Sequence, residues 1–554
     1  MNAKLATKLN LLNYIKSFSM PDYPDLGILS NTFLYDIFIG SCKNLDNYTL
    51  LYGDIDGLRN LNNEIGYKNA DLAIEELLKT ILDYLPENIT SAKLGGDEFC
   101  FIVPNMSTED TRKITKGCLF ICIKGERFDA HQFANEALSL GAAAVMISED
   151  IEVNGAFVKV ENTSKALLDL SAYYRSKFDI PVVALTGSVG KTTTKEFTYL
   201  VVNSEFNAIK TQGNLNNEIG LPQMLFQIDN STEAAVIEMG MNHFGEIHRL
   251  VTATKPTLAM ITNIGVSHIE NLGSREGILK SKLEILDGLE AGSPFIINVD
   301  NDMLKTILDK DEIMEKYDVI TFGIESEGAN YKAKNIKEEN GSTSFDVEYT
   351  ITKIIPEISG VTGKFYLCSQ HIVIPTIGIH NVYNALAAFA VGITLGIDSQ
   401  KSADALSNYV PAGMRQKSVT VGGITSIEDC YNASPDSMNA AIKTLANTKA
   451  NKKIAVLGDM LELGDYSKKA HYEVGQAVAD NKIDFLLAFG NDAKYIVDGA
   501  KENGMKSAFY FNNKEELSNK LFELANKGDA VIFKASRGMK LEDVINNVYD
   551  RWEK

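Results

Sequence analysis

The stretch VVALTGSVGKTTTKEF, residues 182–197, constrains this chain more than any other. A continuous apolar run enters a glycine-containing turn and leaves as a helix, the order of elements that a phosphate-holding loop needs. Gly187 and Gly190 let backbone N–H groups turn inward, Ser188 and Thr193 join them as nucleotide-binding residues, and Lys191 supplies a positive charge. The Thr192 hydroxyl can ligate Mg²⁺ beside the positive helix N-terminus. The spacing departs from the commonest phosphate loop, because Leu185 stands where the first glycine would be. An ordinary strand-to-helix turn with an exposed lysine is the plainer alternative, and GKTTT in this setting favours nucleotide binding.

The rest of the chain carries the same beat. At 554 residues it is long enough for roughly three to five domains. Short apolar runs alternate with helical stretches from Pro181 to about Ala412 (PVVALTG, AAVIEMG, TLAMITNIG, PFIINVD, VITFGI), which predicts a doubly wound, mostly parallel sheet. KIAVLGDM, DFLLAFG and DAVIFKAS repeat the pattern over 413–554 and predict a second, Rossmann-like unit. Upstream, CLFICIKG, a helix around His131 to Leu140, AAAVMIS and a helix from Ser164 to Phe178 fill 106–180. YTLLYGDID, a helix from Ala70 to Leu85 and EFCFIVP fill 35–105, and residues 1–34 form a leader. The expected fold class is therefore α/β and multi-domain.

Composition removes several classes of function. The chain has 54 Lys and Arg against 73 Asp and Glu, a formal charge of −19, which disfavours nucleic acid and anionic membrane surfaces as partners. No run of about 18 apolar residues is present, so neither a membrane span nor a secretory leader is expected, and the cytoplasm is the expected location. Six sparse cysteines without CxxC spacing fit a reducing compartment. Cys118 and Cys122 share one face of an apolar run and read as core residues rather than a metal pair.

The loop form TGSVGKTTTK is similar to that of the Mur ligase and folylpolyglutamate ligase superfamily. The resemblance continues in order through TQGNLNNEIGLP, AVIEMGMNHFGEI, TNIGVSHIENLGSREGILKSKLEI, GIHNVYNALAA, EDCYNASPDSM, GDMLELG and KASRGMKLE. Together these blocks resemble the UDP-N-acetylmuramoyl-tripeptide:D-alanyl-D-alanine (MurF-type) ligases. YNASPDSM discriminates, since the sister ligase that adds the third residue carries a DNPR-like motif there. The resemblance implies a central ATP-binding domain over 181–412, a C-terminal Rossmann-like domain over 413–554 and a partial UDP-substrate domain over 106–180. It implies ATP-dependent addition of D-Ala-D-Ala to UDP-MurNAc-tripeptide through an acyl phosphate, in peptidoglycan synthesis.

The same resemblance assigns roles. Thr192 and Glu238 would hold Mg²⁺ near the ATP phosphates; His268 and a carbamylated Lys282 would hold a second Mg²⁺, with Lys191 completing the catalytic set. Taken singly, Glu238, His268 and Lys282 read as a strand-end carboxylate, a loop histidine and a solvated lysine. Asn384 would face adenine, with His380 and Asn381 fixing the turn before its helix, while Arg415, Asp429 and Asn432 would reach ATP from the last domain. That implies domain closure, with a hinge near Ala412 and Gly413. Asn216 and Asn217 would contact the nucleotide-sugar substrate, a helix cap being the alternative. Thr111 and Arg112, together with Phe128, Asp129 and His131, fall at the UDP-domain motif positions. A monomer is expected, with other wall-synthesis enzymes as conceivable partners.

YGDIDGLRNLNNEIGYKNADLAI followed by KLGGDEFCFIVP resembles a GGDEF domain, the diguanylate cyclase fold. By that resemblance Asp54 and Asp97 would ligate Mg²⁺, Glu98 would assist the attacking hydroxyl, and Asn62 and Asp71 would read guanine. Ligase-like sequence begins within about ten residues of the motif, where a whole domain of this kind continues. Residues 35–105 are therefore expected to be a truncated module without cyclase activity. The alternative function is a catalytically impaired fusion with a regulatory or nucleotide-sensing role.

Overall fold

The computed structural model describes residues 117–554 apart from 126–127, 340, 358–359, 412–416 and 554; ahead of residue 117 it describes four strands. The chain divides into two compact units, Met1–Thr163 and Ser164–Lys554.

In the first unit, strands Ile28–Leu29, Thr90–Lys93, Glu98–Pro104 and Tyr48–Asp54 form one sheet in that order. The first pair is parallel and the others antiparallel. YTLLYGD and EFCFIVP are thus strands, as their composition predicts; the helix expected at 70–85 lies outside the described residues. A three-stranded parallel sheet, Leu119–Ile121, Ala144–Ile147 and Phe157–Lys159, covers a small core around Cys122, Ala134, Ala137 and Val145. Cys122 is fully buried there and burial pushes its thiol up to about 11, the state of an inert core cysteine. Two expectations shrink. CLFICIKG yields only a three-residue strand, because the chain turns back at once through a bridge between Lys124 and Asp129. The expected helix from 131 to 140 begins as a 3₁₀ turn, Ala130–Phe133, and is α-helical only over Ala134–Ser139.

The second unit holds a nine-stranded sheet. Its order is Gly360–Ile374, Ser342–Glu357, Tyr331–Glu339, Asp318–Gly323, Pro294–Asn298, Leu258–Ile261, Val182–Thr186, Ala234–Glu238, Ala208–Lys210. From Tyr331–Glu339 onward neighbouring strands are parallel; the first three are joined antiparallel. Alternation explains why the central strands read as unbroken apolar runs. Val183 and Leu185 enter the core on one face and Val182 and Ala184 that on the other, as do Ala234 and Val236 against Ala235 and Ile237. The chain passes from one side of Val182–Thr186 to the other between Ala234–Glu238 and Leu258–Ile261, which opens a crevice at the carboxyl ends of these three strands. Helix Ile379–Thr394 covers one face with an almost continuous buried apolar surface.

A second sheet, Lys417–Val421, Ile424–Asp429, Ala530–Lys534, Lys453–Gly458, Phe485–Phe489 and Ala508–Phe511, is parallel apart from its first pair. Ala455 and Leu457 face one core and Ile454 and Val456 the other, the two-sided burial of a Rossmann-like unit. No helix among the described residues is long and apolar enough to cross a membrane.

Candidate functional site

The phosphate loop leaves strand Val182–Thr186 and becomes helix Lys191–Asn203. Two glycines are required by space and backbone. A Cβ on Gly187 would stand 1.9 Å from Thr262 Oγ1, and Gly190 has φ +80° with Asn384 Oδ1 2.7 Å from where its Cβ would be. Asn263, at the end of the adjacent strand, fixes the loop from beneath. Its Oδ1 accepts the N–H groups of Ser188 (3.1 Å) and Val189 (2.9 Å), and its Nδ2 donates to Val189 O at 2.9 Å. Ser188 Oγ accepts the Gly265 N–H at 2.9 Å and Thr262 Oγ1 donates to Val189 O at 3.0 Å. The first amides of the following helix have no intrahelical partner by construction and form the anion-attracting end. Lys191 Nζ donates to Gly187 O at 2.8 Å, within the loop it serves.

Below the loop, Glu238 ends its strand almost completely buried. Thr192 Oγ1 donates to Glu238 Oε2 at 3.0 Å and Asn216 Nδ2 to Oε1 at 2.9 Å; Lys195, also buried, brings its Nζ to 3.7 Å from Oε2. The Thr192 and Glu238 oxygens suit Mg²⁺, whose bonds of about 2.1 Å in an octahedron set neighbouring ligands about 3.0 Å apart. Among the described residues no three His, Cys, Asp or Glu side chains gather into a metal cluster. Lys282 is 2% exposed and donates to Gly187 O at 3.0 Å, so it lies on the same carbonyl as Lys191. Burial, and then the charge of Lys191, hold its amine well below the usual lysine range. His268 borders the cleft with a left-handed backbone, φ 62°, and its Nδ1 lies 2.8 Å from Glu462 Oε2, outside good hydrogen-bonding direction for the ring.

Most of these groups line a cleft of about 450 Å³ between the nine-stranded and six-stranded sheets; Gly187, Lys195 and Lys282 are not part of its lining. Ser188, Gly190, Lys191, Thr192, Thr193, Asn216, Asn217, Glu238, His268, Asn384, Asp429 and Asn432 all line it, so most of the sequence-derived set converges. The detail differs for several. Asn384 is engaged within the protein, accepting from Thr194 Oγ1 at 3.0 Å. Asn217 Oδ1 receives the N–H groups of Ile219 and Gly220, the helix-head role that was the alternative for it. Asn381 turns back onto Ile377 O and Thr376 Oγ1, fixing the turn as expected. Arg415, Thr111, Arg112, Asn62, Asp71 and Asp97, like the hinge expected at 412–413, lie outside the described residues. Asp54 and Glu98 fall in described strands whose side chains are not described. Asp129 and His131 form a closed local unit. The Ser148 N–H donates to His131 Nε2 at 2.9 Å, so the Nδ1 proton is the one facing Asp129 Oδ1 at 2.6 Å.

Four contributors were not singled out from sequence. Asn263 and Lys195 are described above. Lys534, buried at the end of its strand, donates to Asp429 Oδ2 at 2.6 Å and Asn432 O at 3.1 Å, holding the two together. Tyr383 donates to Asp300 Oδ2 at 2.8 Å. Burial would raise the Asp300 carboxyl, but hydrogen bonds from Ser326, Glu325, Ile324 and Tyr383 outweigh it and bring it to about 2. Lys534 stands inside a quoted block, KASRGMKLE, and an apolar strand ending in lysine was the available signal. Asn263 also stands inside a quoted block, TNIGVSHIENLGSREGILKSKLEI, but its partners are more than 70 residues away.

Comparison with known proteins agrees with this geometry. The family models for the Mur ligase middle domain and the Mur ligase glutamate ligase domain match residues 185–392 and 414–537, and that for the diguanylate cyclase GGDEF domain matches 39–150. The chain is 37% identical over 447 residues to the UDP-N-acetylmuramoyl-tripeptide–D-alanyl-D-alanine ligase of Bacillus subtilis, covering 80% of this chain and 92% of that protein. It is 33% identical to the Escherichia coli ligase of the same name, covering 85% of this chain and 98% of that protein. Among solved structures, MurF from Acinetobacter baumannii superposes with a TM-score of 0.72 at 30% identity, covering 81% of this chain and 95% of the other. MurF from Thermotoga maritima in complex with ADP gives 0.70 at 28%, covering 80% and 97%.

Proposed function

The chain belongs to the UDP-N-acetylmuramoyl-tripeptide–D-alanyl-D-alanine ligase family, and on that premise we propose how its residues carry out the reaction. The activity is ATP-dependent addition of D-Ala-D-Ala to UDP-MurNAc-tripeptide, giving the pentapeptide precursor of peptidoglycan. A tripeptide carboxylate oxygen attacks the γ-phosphorus of ATP and ADP leaves. The dipeptide amine then attacks the resulting acyl carbon, phosphate leaves, and the amine gives up a proton. Negative charge accumulates in both steps, so the site must supply fixed positive ends. The amides at the head of helix Lys191–Asn203 and the Lys191 ammonium do so, with Lys191 moving from Gly187 O onto phosphate oxygen.

Thr192 and Glu238 would hold Mg²⁺, which neutralises phosphate charge when bound. The pairing of their oxygens at 3.0 Å directly beneath the phosphate loop is the observation that carries this reading. His268 and Lys282 would serve a second Mg²⁺. Desolvation favours the neutral Lys282 amine, the form that adds CO₂ to become a carbamate oxygen donor. Asp429, Asn432 and Arg415 would meet the nucleotide from the C-terminal domain, Asn384 would support its base side, and Asn216, Asn217, Thr111 and Arg112 would meet the UDP substrate.

The test is phosphate release from Mg·ATP with UDP-MurNAc-tripeptide, with and without D-Ala-D-Ala, and the mass of the product. Release that needs both substrates, with the dipeptide mass added, is the expected result. Release independent of the dipeptide, or none at all, would refute the assignment.

A further inference from the structure

The GDMLELG loop, residues 458–464, belongs to the C-terminal domain and is tied to it throughout. Asp459 accepts the N–H groups of Asn491 (2.8 Å), Asp492 (3.1 Å) and Ala493 (2.7 Å). Met460 N–H donates to His471 Nε2 at 2.9 Å, and Leu461 N–H to Ser536 Oγ at 3.0 Å. The loop therefore travels with that domain as one piece. The segment 262–270 is tied as firmly to the phosphate loop, through Thr262, Asn263 and Gly265.

These two rigid segments meet at three places. Glu462 Oε2 lies 2.8 Å from His268 Nδ1. Gly464, at φ +50°, lies close against Glu270, whose Cγ would stand 3.0 Å from a Cβ at that position. Ile269 packs against the cores of both domains. Both members of the polar contact have left-handed backbones although neither is glycine: His268 at φ 62° and Glu462 at φ 63°. Such conformations persist where the side chain they display is needed. Glycine would satisfy the Glu462 backbone better than glutamate does, so a turn alone does not account for the residue.

We propose that Glu462 is a positioning residue: carried in by the C-terminal domain, its carboxylate sets the His268 ring against the phosphate site, so that seating of that domain and readiness of the phosphate site are one event. The inference rests on the ligase reading in placing His268 beside the transferred phosphate. Glu462 acts through His268 and touches no reactant.

The decisive variant is Glu462→Gly in the full chain, which relieves the backbone and removes the side chain with its carboxylate, while Glu462→Gln removes the charge alone. Four quantities are read together: the melting temperature, Mg·ADP affinity by calorimetry, kcat and KM for ATP, and ligand-induced compaction by small-angle scattering. The expected result is an unchanged or higher melting temperature, ADP affinity and KM within about twofold, kcat at least tenfold lower and reduced compaction, with Glu462→Gln between the variant and the parent. Full kcat and compaction in Glu462→Gly would overturn the proposal. So would a loss of ADP affinity or a lowered melting temperature that tracks the loss of rate, since the residue would then be a nucleotide contact or a structural prop. If the parent chain shows no dipeptide addition, the ligase reading fails, and the scattering comparison still decides whether Glu462 couples the domain to the site.

Discussion

Asn263→Ala isolates the support beneath the phosphate loop from the loop's own phosphate contacts. Three hydrogen bonds reach the side chain, but they are not equally costly to lose. Ser188 N–H keeps a second acceptor, Asn263 O, at 3.1 Å, and Val189 O keeps the Thr262 hydroxyl at 3.0 Å. Val189 N–H alone is left without a protein acceptor. An orphaned donor costs about 1–3 kcal/mol, toward the low end at a half-buried position such as this, and the two weakened neighbours add about 1 kcal/mol more. The loop then must be ordered by its ligand, at a cost of about 2 kcal/mol. That corresponds to nucleotide binding weaker by roughly 30-fold. Calorimetric titration of ADP and Mg²⁺ into parent and variant measures it, and a melting curve checks that the sheet is intact. Binding within twofold of the parent, in a folded variant, would show that the loop holds its shape without Asn263 and would refute the reasoning.

Lys191→Ala should abolish phosphate release while leaving the fold intact, because Lys191 is half-buried and its hydrogen bond to Gly187 O lies within the loop; retained turnover in a rate assay would remove it from the charge-neutralising set. Lys282 has a folded-state pKa below its unfolded value near 10.4, so between those two values the unfolded chain binds more protons and stability rises with pH. Urea unfolding across that window should show the rise in the parent and a flatter profile in Lys282→Met, and bicarbonate depletion should slow the parent reversibly without affecting the variant's residual rate. Lys534→Met leaves the Asp429 carboxylate without its buried partner, at a cost of about 3 kcal/mol, and a melting temperature within a degree of the parent would contradict that.

The parts legible in the sequence are those whose physics is local. Val182–Thr186, Ala234–Glu238 and Lys453–Gly458 are buried on both faces, so their apolar runs are continuous and announce a parallel sheet. The phosphate loop is legible because its glycines, lysine and threonine act within a dozen residues of one another. The antiparallel edge from Tyr331 to Ile374 was not, since one strand, YKAKNIKEE, alternates burial and carries charges that break any apolar run. The supports of the site were illegible for a different reason. Asn263 on Val189, Asn216 on Glu238 and Lys534 on Asp429 are pairings across 22 to 105 residues that only the sheet order brings together. Glu462 and His268 gave no warning of left-handed backbones, because neither residue type demands one.

The 3.0 Å separation of Thr192 Oγ1 and Glu238 Oε2 has a bearing on which cation the cell can load. Ca²⁺, with bonds of about 2.4 Å, takes six to eight oxygens and often both oxygens of a carboxylate. A second Glu238 oxygen for such a shell would have to be drawn off Asn216, from a carboxylate that the sheet holds beside Lys195. Mg²⁺ asks only that the threonine hydroxyl turn its proton away from the carboxylate. Preference for the smaller ion would then rest on the backbone spacing between a strand end and the first turn of a helix.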